Sequence, residues 1–191
     1  MTPTDGETGY PVDLDAHLTL NDDRHVHIRA LHRCESAPIR ALHARLSPLS
    51  RYRRFLSPMP TLPESLVQRL SCVDHRSCVA IVAEDERNND FDVVALASFS
   101  EVDEGVAELA IVVLDEWQGQ GMGGALVERL LDAAEGRGFT RFVASVTSDN
   151  TPMRKQMDRL VRVTASRTSN GVSDFWFERV SGSTAPASTS R

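Results

Sequence analysis

Residues 112–126 read Val-Val-Leu-Asp-Glu-Trp-Gln-Gly-Gln-Gly-Met-Gly-Gly-Ala-Leu, a strand-like apolar run that enters a helix through a loop with almost no side chains. Without β-carbons at Gly119, Gly121, Gly123 and Gly124, backbone N–H groups can approach a ligand closely. The first N–H groups of the following helix lack intrahelical partners, and the positive end of the helix dipole adds to their attraction for an anion. Such a loop suits a phosphate, and a strand leading into a helix through it commits the chain to packing helix on sheet.

Two phosphate-binding designs fit the residues but not their context. Gly119, Gly121 and Gly124 satisfy the spacing of the dinucleotide fingerprint. That motif needs its first glycine directly after the strand of an opening strand-helix-strand unit. Here Asp115, Glu116 and Trp117 intervene, and a long stretch of chain precedes them. A nucleotide-triphosphate loop needs Lys and then Ser or Thr after its last glycine, where this chain has Ala125 and Leu126. A glycine-rich helix start with no ligand is the plain alternative, since single glycines have packing uses.

The third design fits both. Gln118, Gly121 and Gly123 resemble the Gln/Arg-x-x-Gly-x-Gly/Ala signature of the GNAT acetyltransferases. The resemblance covers approximately residues 25–161, most strongly 107–142. It takes in the apolar strand before the loop and the helix after it, where Met122, Leu126, Leu130 and Ala134 share one face by i, i+4 spacing. It implies that acetyl-CoA is the cosubstrate, with its pyrophosphate on the loop formed by Gln118, Gly119, Gln120, Gly121, Met122, Gly123 and Gly124. It further implies a splayed strand in which the backbone of Ile111, Val112 and Val113 pairs with the pantetheine arm and polarises the thioester carbonyl. Such backbone donors stabilise an oxyanion.

A chain of 191 residues with 41% hydrophobic residues has the material for one good core and little room for a second domain. A net charge of -6 gives no global attraction to nucleic acid or to an anionic membrane, so neither is an expected partner. No stretch resembles a signal peptide or an apolar span of membrane length, and the default location is the cytoplasm. Cys34, Cys72 and Cys78 cannot all pair within the chain, so reduced thiols are expected. Cys72, His75 and Cys78 with Asp74 make a compact trio. Buried cysteines acting as small hydrophobes explain it better than a metal site, which would need a fourth ligand; no metal is expected.

The pattern along the chain predicts a strand over 25–31, a helix over 37–46, helical segments over 49–56 and 63–70, and strands over 78–83, 93–100 and 106–114. Residues 84–90 read as an exposed charged turn. The helix after the glycine loop should stop near Gly136 or Gly138. A strand over 141–147, a short helix over 152–161 and a strand over 172–180 complete the order. Periodicity supports an α/β or α+β class. The resemblance implies the GNAT fold, a single domain with a mixed, mostly antiparallel central sheet and helices on both sides. The expected organisation is a flexible segment over 1–24, the GNAT domain over 25–180 and a disordered tail over 181–191.

Acetyl transfer to an amine requires that the ammonium first lose a proton, and free lysine holds that proton to a pKa of about 10.4. A base in a dry cleft serves this step. Strand alternation sends Glu108, Ala110 and Val112 to one face, so Glu108 places a carboxylate just upstream of the loop and is the candidate base. The alternative is a solvated strand carboxylate. Residues 46–55, 73–75 and 107–113 resemble bacterial protein-lysine acetyltransferase domains, in which a glutamate matching Glu108 acts as general base through water. That resemblance also makes a protein lysine the favoured acceptor, with a small-molecule amine such as a polyamine or aminoglycoside behind it. The oligomeric expectation is a monomer or homodimer.

Asn150 matches a family asparagine that contacts the pantetheine arm, and Met153 suits the same segment. Seven residues beyond Asn150, many relatives carry a tyrosine that protonates the departing thiolate; this chain has Met157, which has no proton to give. The family's Leu-Gly-Phe ending is replaced by Leu160-Val161-Arg162. Arg45, Arg51, Arg53 and Arg54 lie where family members build part of the acceptor cleft, although a solvated helix face is the more ordinary account. These departures leave open two readings outside the enzyme class: a module that senses acetyl-CoA without turning it over, and an interaction domain with a relic loop.

Overall fold

The computed structural model describes residues 9–87 and 92–180, so the expected tail over 181–191 and the first part of the expected flexible segment lie outside the described residues. The strands are β1 (Ala16–Thr19), β2 (His25–Ala30), β3 (Cys78–Asp85), β4 (Asp92–Asp103), β5 (Val106–Val113), β6 (Arg141–Thr147), β7 (Val161–Ser169) and β8 (Val172–Arg179). Helices α1 (Ala37–Arg45), α2 (Pro48–Phe55) and α3 (Glu64–Ser71) join β2 to β3, α4 (Met122–Glu135) joins β5 to β6, and α5 (Thr151–Leu160) joins β6 to β7. All eight strands form one sheet in the order β1-β2-β3-β4-β5-β6-β8-β7. Every neighbouring pair is antiparallel except β5 and β6.

The apolar run Val79-Ala80-Ile81-Val82-Ala83 explains the layering. These β3 residues are all buried, so both faces of the sheet centre are covered, as continuous apolar strands require. Helix α1 packs on β4, α2 on β5, and α4 on β4 and β5. Met122, Leu126, Leu130 and Ala134 of α4 are buried together, with Leu131 and Ala133 widening the stripe. The helix ends at Glu135 with Gly136 as its cap. The mixed, mostly antiparallel sheet is the fold that the glycine-loop resemblance implied.

Three local readings need correction. The sheet starts before residue 25: Ala16–Thr19 pairs with β2 through Ala16↔Ile28 and Thr19↔His25, within the segment expected to be flexible. Four residues are too few for a period to show. The short helix stops at Leu160, and Val161 opens a long edge strand whose side chains are otherwise exposed. With neither face of that strand buried, no apolar alternation could mark it, and its ladder to β8 holds it. Glu84 and Asp85 belong to β3 rather than to an exposed turn, and both are buried. Glu84 accepts from Arg29 Nη2 at 2.8 Å and Asp85 from Arg87 Nη2 at 2.9 Å, which satisfies charges that burial would otherwise penalise.

Leu126 carries the grip of α4 on the sheet. Leu126→Ala should lower unfolding free energy by about 2–5 kcal/mol in urea titrations, the range for a fully buried leucine leaving a cavity.

Candidate active site

Strands β5 and β6 are in register only at Val106↔Arg141, Ala107↔Phe142 and Glu108↔Val143. Past that point β5 follows β4 as far as Val113↔Ala95, and β6 follows β8 as far as Thr147↔Val172. The two strands therefore part just after Glu108, leaving the β6-facing edge of residues 109–113 without a strand partner. The gap opens into a cleft with two connected halves. One, about 370 Å³, is lined by Gln118, Gly119, Gly121, Gly123 and Gly124 with Ile111, Val112 and Val113. The other, about 120 Å³, is lined by Glu108, Leu109, Ala110, Met157 and Phe177, among others. Ile111, Arg53, Arg54, Asn150, Met153 and Gln156 line both halves.

The loop is held open by backbone conformation. Gly119 and Gly121 have φ of +77° and +91°, a region that L side chains rarely adopt, and Gly121 caps α4. Intrahelical bonding at this end starts with Ala125 N–H donating to Gly121 O at 3.2 Å. The amides of Met122, Gly123 and Gly124 thus point out of the helix start, and a Cβ at Gly119 or Gly123 would meet open space. Asn21, from the turn between β1 and β2, donates its N–H to Gln120 O at 3.2 Å, and its side chain packs beside Gly121.

A polar network ties this loop to α2. Asp115 accepts from the Ser47 hydroxyl at 2.8 Å and the Ser50 hydroxyl at 3.0 Å. Burial pushes the Asp115 carboxyl up, but the Ser47 and Ser50 donors outweigh it and hold the pKa below its ordinary value. Gln118 donates to Ser50 Oγ at 3.2 Å and to Val113 O at 2.9 Å. Ser47 also caps α2 by accepting from Ser50 N–H at 3.2 Å. Fixed in this way, α2 directs Arg53 and Arg54 into the cleft. Arg53 donates to the Asp149 carboxylate at 2.7 Å. Arg54 Nε is buried with no hydrogen-bond partner. Burial pushes the Arg54 pKa down to about 10, against the pull of the Glu108 carboxylate.

The residues singled out from sequence divide unevenly. Glu108, Ile111, Val112, Val113, Gln118, Gly119, Gly121, Gly123, Gly124, Asn150 and Met153 all line the cleft. Gln120 and Met122 do not: Gln120 offers its carbonyl to Asn21, and the Met122 side chain lies in the core. The Gln118 side chain is spent on Val113 and Ser50. Asn150 accepts from Met153 N–H at 3.3 Å and so caps α5. Asn21, Ser50 and Gln156 were not singled out, yet they line the cleft. A Cβ at Gly124 would collide with Gln156 Nε2, so that glycine makes room for α5.

The cysteine trio lies elsewhere. Cys72 is exposed, and burial raises the Cys78 thiol to about 11, the reverse of an activated nucleophile. Asp74 accepts from the Ser77 hydroxyl and from the N–H groups of Arg76, Ser77 and Cys78. Although burial opposes them, these donors hold its pKa at about 2. Val73-Asp74-His75 is a tightly bonded turn that lines neither half of the cleft. Among the described residues, the metal-capable group is instead Asp15, His17 and His27, outside the cleft. There His27 bonds Asp15 at 2.7 Å and His17 bonds Glu86.

Anion donors at one end, an unpaired strand edge along the middle and a carboxylate beyond it define a transferase site for a long, phosphate-bearing cosubstrate. The sequence profile of the acetyltransferase (GNAT) family matches residues 43–160. Acetyltransferase PA5475 of Pseudomonas aeruginosa is 30% identical over 137 residues, 71% of this chain and 74% of that protein. The GNAT domain of S. lividans PAT is similar with a TM-score of 0.78 at 26% identity, covering 88% of this chain and 99% of that one. The cAMP-binding acyltransferase from Mycobacterium smegmatis is similar with a TM-score of 0.60 at 25% identity; 91% of this chain covers 49% of that one. The chain belongs to the GNAT acetyltransferase family and is an acetyl-CoA-dependent N-acetyltransferase. Its cleft fits that cosubstrate, with free amides at the α4 start and an unpartnered edge beside them.

Ser50 holds the loop to α2, so Ser50→Ala should lower stability by about 1 kcal/mol in urea titrations, the typical worth of a net hydrogen bond. Because the Asp115 pKa is depressed in the fold, the difference should be full above the ordinary value of 3.8 and shrink as pH falls below it.

Proposed function

We propose that this chain acetylates protein lysines, with Glu108 as general base and the amine attacking the thioester directly in a ternary complex. The observation that carries the reading is the position of Glu108. It is the last β5 residue in register with β6, and it lines the half of the cleft beyond the glycine loop. In this reading the loop amides of residues 119–124 hold the pyrophosphate, residues 111–113 pair with the pantetheine arm, and Asn150 and Met153 form its wall. The ammonium loses its proton through water to Glu108, the nitrogen attacks the carbonyl carbon, and the C–S bond breaks.

A protein acceptor is supported by the resemblance of residues 46–55 and 107–113 to protein-lysine acetyltransferase domains. It is also supported by Leu49, Tyr52 and Leu56, apolar side chains left exposed on α2 and at its end. No described helix is long and apolar enough to cross a membrane, and we place the reaction in the cytoplasm, where the three free thiols are stable. One observation favours a second reading, an acetyl-CoA sensor without turnover: buried Met157 lines the cleft where relatives place a proton donor.

Calorimetry with acetyl-CoA tests the cosubstrate site, and Gly121→Glu should abolish the heat because a carboxylate there repels pyrophosphate. Release of CoA thiol should be faster with lysine peptides than with polyamines or aminoglycosides, and no release with any amine would favour the sensor. Glu108→Gln should cut kcat by roughly a hundredfold to ten-thousandfold while leaving acetyl-CoA affinity in place; an unchanged rate at neutral pH would remove its role as base.

A further inference from the structure

We propose that the Arg54 guanidinium holds the departing CoA thiolate, filling the part that Met157 cannot play. The inference rests on the acetyl-CoA placement proposed above. A cosubstrate with its phosphates on the glycine loop and its arm along residues 111–113 passes into the Glu108 half where Arg53, Arg54, Ile111, Asn150, Met153 and Gln156 line both halves. The thioester lies at that junction.

Among the described residues, two polar side chains at the junction have no hydrogen-bond partner, Arg54 and the amide nitrogen of Gln156, and the neutral amide brings no charge to offset a thiolate. Arg53 has an unbonded Nε as well, but its Nη2 donates to the Asp149 carboxylate, so its charge is already paired. The hydroxyls of Ser50 and Ser145 donate to Asp115 and Asp174. Neither tyrosine lines the cleft: the Tyr10 hydroxyl donates to Ala30 O, and Tyr52 is exposed on α2. Arg54 is different. Its Nε is buried with no partner, its guanidinium lies 5.2 Å from the centre of the Phe55 ring, and it feels the field of Glu108. A guanidinium withdrawn from water without a bonded anion is costly, and a ligand that brings the anion removes that cost.

The chemistry supplies one at the right moment. As the amine attacks, the C–N bond forms, the C–S bond breaks and its electron pair stays on sulfur. The nitrogen sheds its protons through water to Glu108 and on to solvent. Protonating Glu108 cancels the negative charge that faced Arg54, just as a new one appears on sulfur. The guanidinium keeps all its protons, and solvent protonates the thiolate after release. A pKa of about 10 leaves Arg54 cationic throughout the neutral range.

The test is an ultraviolet titration of the thiolate of CoA bound to the full chain, compared with free CoA titrated in the same buffer. In the wild-type protein the bound thiol should ionise about one to three units lower. Arg54→Gln should move the midpoint back up by about one unit or more, while calorimetric affinity for CoA at about pH 6, where the free thiol is protonated, stays within about threefold. Arg54→Lys should retain most of the shift, and kcat should fall in Arg54→Gln with little change in KM for acetyl-CoA. Should Arg54→Gln unfold, Arg54→Met repeats the comparison with the buried methylenes kept. An unshifted midpoint in an Arg54 variant that still binds CoA overturns the thiolate role. Failure of the wild-type protein to bind CoA at all would instead overturn the cosubstrate placement, and the thiolate role with it.

Discussion

The parting of β5 from β6 after Glu108↔Val143 is the constraint on which the rest of the molecule depends. A strand edge without a partner leaves backbone amides and carbonyls to find partners elsewhere, so a sheet opens in its middle only where something compensates. Here each strand keeps a full antiparallel neighbour on its outer side, β4 for β5 and β8 for β6. The long edge strand β7 contributes no buried face of its own beyond Val161, but it backs β8 and so steadies the β6 arm of the gap. A crossover helix packed on β4 and β5 sets the other arm. The opening is thus built from strong pairings on both flanks, and a substrate-sized gap costs only the inner edge.

Position along that gap sorts the chemistry. The glycine loop follows β5 directly, so the amides at the start of α4 lie at the wide end, while Glu108 lies at the vertex. Between them, α2 is pinned by two serines, Asp115 and Gln118 acting as one hydrogen-bonded unit. This unit gives Gln118 a purpose unlike that of a ligand. By donating to Val113 O, it ties the loop back to the end of β5. A residue in a cofactor signature can therefore serve the cofactor by shaping the backbone around it.

How much of this was legible follows from the range over which each signal acts. The stripe of Met122, Leu126, Leu130 and Ala134, the four glycines and the alternation around Glu108 are all short-range patterns, and each placed its element correctly. Asn21 reaches the loop from a turn a hundred residues upstream in the numbering, and Gln156 fills the space left by Gly124 from another helix. No local period encodes such contacts. Gln120 and Met122 belong to the loop through their backbone; neither lines the cleft and the Met122 side chain lies in the core, and a loop that binds through amides asks for no particular side chain at either position. The arginines show the reverse case: Arg53 and Arg54 look like a solvated helix face in a charged sequence, and only the pinning of α2 against β5 turns them inward.

The inward turn of Arg54 bears on why a cleft of this kind can do without the tyrosine that many relatives carry. A proton donor is essential only if the leaving group is too basic to depart as an anion, and a thiolate, far less basic than an alkoxide or an amide ion, is not. What the departing sulfur needs at neutral pH is a compensating charge, and at a buried guanidinium a fixed cation is worth more than it would be in solvent. In the proposed mechanism Glu108 and Arg54 together would supply that charge: carboxylate and guanidinium offset one another at rest, and proton transfer to the carboxylate would free the guanidinium for sulfur. On this account the base and the leaving-group partner are two ends of one electrostatic couple: Arg54 lowers the proton affinity of Glu108 at rest, and proton transfer to Glu108 strengthens the hold of Arg54 on sulfur, so C–S cleavage is coupled to proton loss.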